Sequence, residues 1–95
     1  MKPSLGRIVI YRQPDEEAPV NGAREHPAIV CRVWSDTCIN LRVFADTADP
    51  PQHRPSVELL GEEEHPDQPN RWRWPEPTEV EKTVAQGYVS LGSAT

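Results

Sequence analysis

"PAIVCRVWSDTCINLRVF", residues 27–44, sets two short apolar runs on either side of Ser35-Asp36. Runs of this length, rich in β-branched and aromatic residues around a turn dipeptide, read as a β-hairpin. A tight turn at Ser35-Asp36 puts Trp34 opposite Thr37 and Val30 opposite Leu41. One face then carries Ala28, Val30, Trp34, Ile39, Leu41 and Val43, with Arg32 as the exception. The other carries Ile29, Cys31, Val33, Cys38, Asn40, Arg42 and Phe44. Both faces are apolar enough to need cover, which suits a curled sheet or barrel better than an open sheet with one wet face.

The flanking sequence extends this pattern. "GRIVIYR" (6–12) reads as a first strand, and residues 13–26 as a long loop with a turn of its own at Asn21-Gly22. Residues 45–55 read as a second loop, "SVELL" (56–60) as a weaker strand, 61–70 as a third loop and "RWRW" (71–74) as a short last strand. The 11 prolines exclude a helical bundle, because each removes a donor and clashes with the preceding helical turn. The fold expected is all-β: a small, SH3-like, partly open β-barrel of about five strands with long Pro-rich loops. It should span residues 1–76. Residues 77–95 are expected to form a separate tail, in which Pro77, Thr78 and Glu81 suggest a capped short helix over 78–86 before the apolar "YVSL". Val80, Val84, Tyr88 and Leu91 would let that tail pack on the barrel or on a neighbouring subunit, and a homo-oligomer is expected.

The chain has 95 residues and a formal net charge of -5. It holds no apolar run of membrane-spanning length and no signal-peptide pattern at its start, so a cytoplasmic protein without membrane contact is expected. Acids gather in the loops, at Asp15, Glu16, Glu17 and at Glu62, Glu63, Glu64, while arginines gather in the strands. Overall acidity weighs against long duplex nucleic acid, which needs a broad basic face. Acidic loops and basic strands can simply neutralise each other. Alternatively, some arginines are held for an anion, to which a guanidinium offers a flat fork of donors.

Catalytic signatures are missing: no Gly-rich phosphate loop and no nucleophile with local acid–base context. Cys31 and Cys38 match no zinc spacing and read as buried free thiols. His26 and His65 each precede a proline and read as loop residues, and Glu62–Glu64 as a solvated run. The stronger signal is "RWRWPEP", residues 71–77. In an extended segment Trp72 and Trp74 share one face and Arg71 and Arg73 the other, so one tryptophan is expected in the core and the other at a rim. The candidate ligand-binding set is Arg7, Tyr11, Arg32, Trp34, Arg42, Arg71, Arg73 and Trp74: aromatics for a planar ring, arginines for an anionic group. No metal, cofactor or catalytic residue is expected.

"KPSLGRIVIY", "PAIVCRVWSDTCINLRVF" with the "AD" after it, "SV", and "PNRWRWP" together resemble a group of small proteins encoded by tailed phages and prophages. Their pattern runs KPS-x-GRIV-x-Y, RVW, VN-x-x-VF-x-D, SV and W-x-WP, and the likeness covers residues 2 to 75 with gaps in the loops. Histidines common in that pattern are replaced here by Ile10 and Arg73. The resemblance implies a phage accessory protein that acts in the host cytoplasm by binding rather than by catalysis. The expected function is counter-defence: sequestering a small nucleotide-derived immune signal in a pocket of an oligomer. The alternative is an interaction module that blocks a host protein through a Trp/Arg surface; a hydrolase of a nucleotide signal ranks third.

Overall fold

A computed structural model describes residues 2–76. The tail expected over 77–95 lies outside the described residues. Five strands, β1 (Ile8–Arg12), β2 (Glu25–Val33), β3 (Cys38–Val43), β4 (Gln52–Leu59) and β5 (Arg71–Arg73), form a closed all-β barrel of small SH3-like type. Neighbouring strands pair antiparallel, except at the closing seam, where β5 runs parallel to β4 and antiparallel to β1. That seam is short, two residue pairs long, so the barrel expected as partly open is closed by its shortest strand. No helix among the described residues is long and apolar enough to cross a membrane.

Period-2 alternation fills the interior. Val9, Tyr11, Ala28, Val30, Ile39, Leu41, Val43, Val57 and Trp72 make the core. Val30 stands opposite Leu41, as the hairpin pattern requires. The predicted pairing of Trp34 with Thr37 does not form. One extra residue enters β2 at Cys31, and the register shifts so that Arg32 meets Asn40 and Val33 meets Ile39. The Trp34 amide then donates to the Cys38 carbonyl at 2.9 Å. A bulge inverts the alternation beyond it. It puts Trp34 and Arg32 outside together, which removes the anomaly of an arginine on the core face.

Two loops expected in the sequence are partly strand. β2 begins at Glu25, so His26 is a strand residue, and β4 begins at Gln52 rather than at Ser56. β4 carries its own irregularity opposite Asn40, where Pro55, which has no N–H to give, is accommodated and Ser56 adopts φ 52°. The Asn40 Oδ1 accepts the Ser56 amide at 2.8 Å, replacing a pairing that the irregularity interrupts, and also accepts the Trp34 Nε1 at 2.9 Å. The turn predicted at Asn21-Gly22 is present. Both residues have positive φ, 51° and 82°, and Val20 and Ala23 exchange two hydrogen bonds of 2.9 Å around them.

Trp72 is fully buried and donates its Nε1 to the Thr37 carbonyl at 2.9 Å. Trp74 is half-buried and meets Trp72 edge-on, with centroids 5.3 Å apart and planes at 83°. Replacing Trp72 with Ala should cost about 3–5 kcal/mol, as loss of a large core side chain does. For Trp74→Ala the loss should be about 1–2 kcal/mol. Equilibrium denaturation of the two variants reads this difference, and equal losses would show that both indoles are core.

Candidate binding sites

The barrel interior changes character at one end. The inward rows of β1 and β2 continue from Val9 and Tyr11 to Gln13, and from Val30 and Ala28 to His26, so two polar residues sit 3% and 4% exposed in line with the core. Gln52 and Arg54 of β4 point to the same end, opposite Val43 and Leu41. With the 13–24 and 44–51 loops they enclose a cleft of about 440 Å³ at the barrel mouth.

The buried polar groups here hold the loops as well as line the cleft. The Gln13 Nε2 donates to the carbonyls of Glu17 at 3.1 Å and Ala18 at 2.8 Å. Its amide oxygen therefore faces His26, and the His26 Nε2 lies 2.8 Å from it. The proton of a neutral His26 accordingly resides on Nε2. Burial lowers the His26 pKa; the Arg54 guanidinium adds to this and Glu25 opposes it. Arg54 grips both Glu17 carboxylate oxygens, at 2.8 and 2.7 Å, and also donates to the Gln52 Oε1 at 2.6 Å. The Tyr11 ring lies 5.6 Å from the Arg54 guanidinium, and its hydroxyl donates to the Asn70 Oδ1 at 3.0 Å. Burial raises the Tyr11 pKa against the opposing effect of Arg54. Across the rim, the Asn21 Nδ2 donates to the Asp46 Oδ2 at 2.8 Å, fastening one mouth loop to the other.

The eight residues singled out in the sequence do not converge. Tyr11 lines the mouth. Arg7 stands before β1 with its guanidinium 5.8 Å from the Trp74 ring, and the two line a groove of about 340 Å³ with Gly6, Ile8 and Pro75. Arg32 stacks on Trp34 at 4.2 Å near the β2–β3 turn, where Trp34 is 54% exposed. Arg42 is exposed on the outer face of β3, between Ile29 and His53. Arg71 and Arg73 flank Trp72 and are bound within the fold: Arg71 to Glu64 through Nε at 3.1 and 3.2 Å, and Arg73 to Glu25 at 3.3 and 3.1 Å. The Glu64 carboxyl is in turn held below its usual pKa, first by Arg71 and then by the Gly61 amide.

Both cysteines are free. Cys31 is exposed at the bulge rather than buried as expected, and Cys38 is half-buried. Burial and the neighbouring Glu58 push the Cys38 thiol up, which disfavours the reactive thiolate. No group of three or more potential metal ligands occurs among the described residues.

Sequence reasoning passed over Gln13, Glu17, His26, Gln52 and Arg54. For two of them a signal existed: stepping by two from Ala28 reaches His26, and from Tyr11 reaches Gln13. Gln52 and Arg54 carry no such signal, because the irregularity in β4 breaks their alternation with Val57. Comparisons with protein-family models, curated proteins and solved structures return no match.

The depressed pKa of His26 fixes the sign of a pH effect. As pH falls through about 6.5, the unfolded chain takes up a proton at this residue before the folded one does, so His26 contributes stability that is complete above that pH and declines below it. Melting temperatures of wild type and His26→Gln, measured from about pH 7.5 to about pH 5.5, should show a steeper fall for wild type. Parallel curves would remove His26 from the pH response.

Proposed function

We propose that this protein is a non-catalytic binding protein whose ligand is a planar anion of nucleotide type, taken up in the groove between Arg7 and Trp74. The observation that carries this reading is the juxtaposition of a guanidinium with a half-buried indole in an open groove of about 340 Å³. A base entering there meets the Trp74 ring and the adjoining apolar surface of Ile8 and Pro75, while its phosphate meets Arg7. The groove is wide open, and its chain neighbours Leu5 and Ile8 are 71% and 57% exposed. Exposed apolar side chains beside a half-formed site favour completion by a second copy of the chain. In the phage setting that the sequence resemblance implies, the ligand is a nucleotide-derived immune signal, and binding removes it from its receptor.

The non-catalytic reading draws support from the mouth as well. Its histidine, glutamine, glutamate and arginine are bound to one another and to loop carbonyls, which commits them to holding the loops. A second reading, blockade of a host protein, is favoured by Trp34. This indole is braced by Arg32 at 4.2 Å and by Asn40 at 2.9 Å, and a fixed, exposed aromatic is the usual anchor of a protein interface.

Thermal melting against cyclic dinucleotides and ADP-ribose derivatives separates these readings. A bound nucleotide at a hundred times its Kd adds about 2.7 kcal/mol, a rise on the order of 10 °C for a domain of this size. Arg7→Ala and Trp74→Ala should abolish the rise, whereas Trp34→Ala should not. The nucleotide should be recovered unchanged on denaturation; a chemically altered product identifies an enzyme. No shift with any nucleotide, together with loss of host-protein capture in Trp34→Ala, selects the second reading. Light scattering at micromolar protein concentration should give at least a dimer mass, and a clean monomer would remove the second copy from the site.

A further inference from the structure

The barrel mouth differs in chemistry from the Arg7–Trp74 groove and is independent of it. We infer that the mouth is a second ligand site, built for a small organic cation bearing an ammonium or guanidinium head.

Three observations converge on this. The first is charge. The two mouth loops carry Asp15, Glu16, Glu17, Asp46 and Asp49 against Arg24 and, on the neighbouring strand, Arg54. Glu17 and Arg54 neutralise each other in a two-pronged ion pair. Arg24 is turned to the backbone carbonyls of Asp15 and Glu17, at 3.4 and 3.0 Å. Asp49 in the cleft wall and Asp46 at the rim form no ion pair among the described residues. They accept only from neutral donors, Thr47 Oγ1 and Asn21 Nδ2 respectively. The charge left facing the cleft is therefore negative.

The second observation is His26. The side chain lies in the cleft wall at 4% exposure, in a protein whose other two histidines, His53 and His65, are exposed. Gln13 fixes the proton on Nε2, so Nδ1 is a bare acceptor, and no hydrogen bond reaches it among the described residues. An imidazole kept neutral presents a lone pair that suits an N–H donor and repels no cation. Tyr11, whose hydroxyl proton is committed to Asn70, likewise has only acceptor capacity to offer. The third observation is preorganisation. The Gln13 and Arg54 anchors hold the 13–24 loop, and Asn21 ties it to the 44–51 loop, so the walls are set before a ligand arrives. Ala18, Pro19, Val20 and Val43 supply the apolar part of the lining, against which a short methylene chain packs.

Agmatine carries an ammonium and a guanidinium at the two ends of such a chain, and spermidine carries ammonium groups only. Each is titrated into the full-length, 15N-labelled protein, with the His26 ring nitrogens and the backbone amides of Thr47 and Asp49 as reporters. Arabitol serves as a neutral control and AMP as an anionic one. Agmatine should give saturable shifts at these reporters. Asp49→Asn, at an exposed position that the core does not use, should weaken its binding about tenfold by removing one charge-assisted contact. His26→Gln should weaken it as well while the spectrum stays dispersed, and Trp74→Ala should leave it unchanged. Three results overturn the assignment: no saturable shift with either cation up to about 10 mM, equal response to arabitol, or AMP shifting the same reporters. Failure of the nucleotide screen at the other groove leaves this titration unaffected, because the two sites share no lining residue.

Discussion

The indole of Trp72 occupies the point where the chain must close on itself. β5 is only three residues long, and two strands reach it from opposite sides, β1 antiparallel and β4 parallel. So few backbone pairs would hold a strand weakly. Trp72 compensates by burying its whole side chain opposite Tyr11 and Leu59 and by donating to the Thr37 carbonyl in the β2–β3 turn. The Leu59 amide donates to that same carbonyl at 2.8 Å, and the Leu60 amide to the Trp72 carbonyl at 2.9 Å. One side chain thus joins the central hairpin, the closing seam and the first strand.

Closure creates two ends, and the sequence treats them differently. Near the β2–β3 turn, Asn40 accepts on one oxygen both the Ser56 amide left over by the irregular pairing and the indole N–H of Trp34. At the other end the interior turns polar, and buried Gln13 and His26 would be costly without partners. They find them in each other and in the loop carbonyls, so the polar end latches the longest loop in place. A latched loop gives a cleft with fixed walls, and the same hydrogen bonds serve folding and any ligand.

Electrostatics follows the same division. Arg71, Arg73 and Arg54 each grip a glutamate, two of them from acidic loops and one from the start of β2. These pairs are partly exposed, and solvent screening keeps the contribution of each to about 1 kcal/mol, so they tie loops and strands together and place charge more than they supply bulk stability. Arg32 and Arg42 are exposed on the outer surface, while the mouth loops are rich in acids. A single small barrel thereby carries basic and acidic groups on different parts of its surface.

The sequence by itself determined the all-β class, the central hairpin, the Asn21-Gly22 turn and most of the core. All of these rest on local rules: period-2 alternation and the backbone preferences of particular dipeptides. Tertiary structure decided what those rules do not reach. The bulge at Cys31 adds one residue without any marker in composition, and it moved Trp34 and Arg32 from the predicted core face to the outside. β4 starts earlier than its apolar residues indicate, because the first side chains on its mouth-lining row are Gln52 and Arg54 rather than hydrophobics. Arg73 reads as an available cation until Glu25, 48 residues away in the chain, is folded against it. The mouth is assembled from two stretches of chain, 11–26 and 43–54, and neither carries its pattern alone. Register and ion pairing depend on which distant segments the closed sheet brings together, and that information resides in the packing, not in any local run of residues.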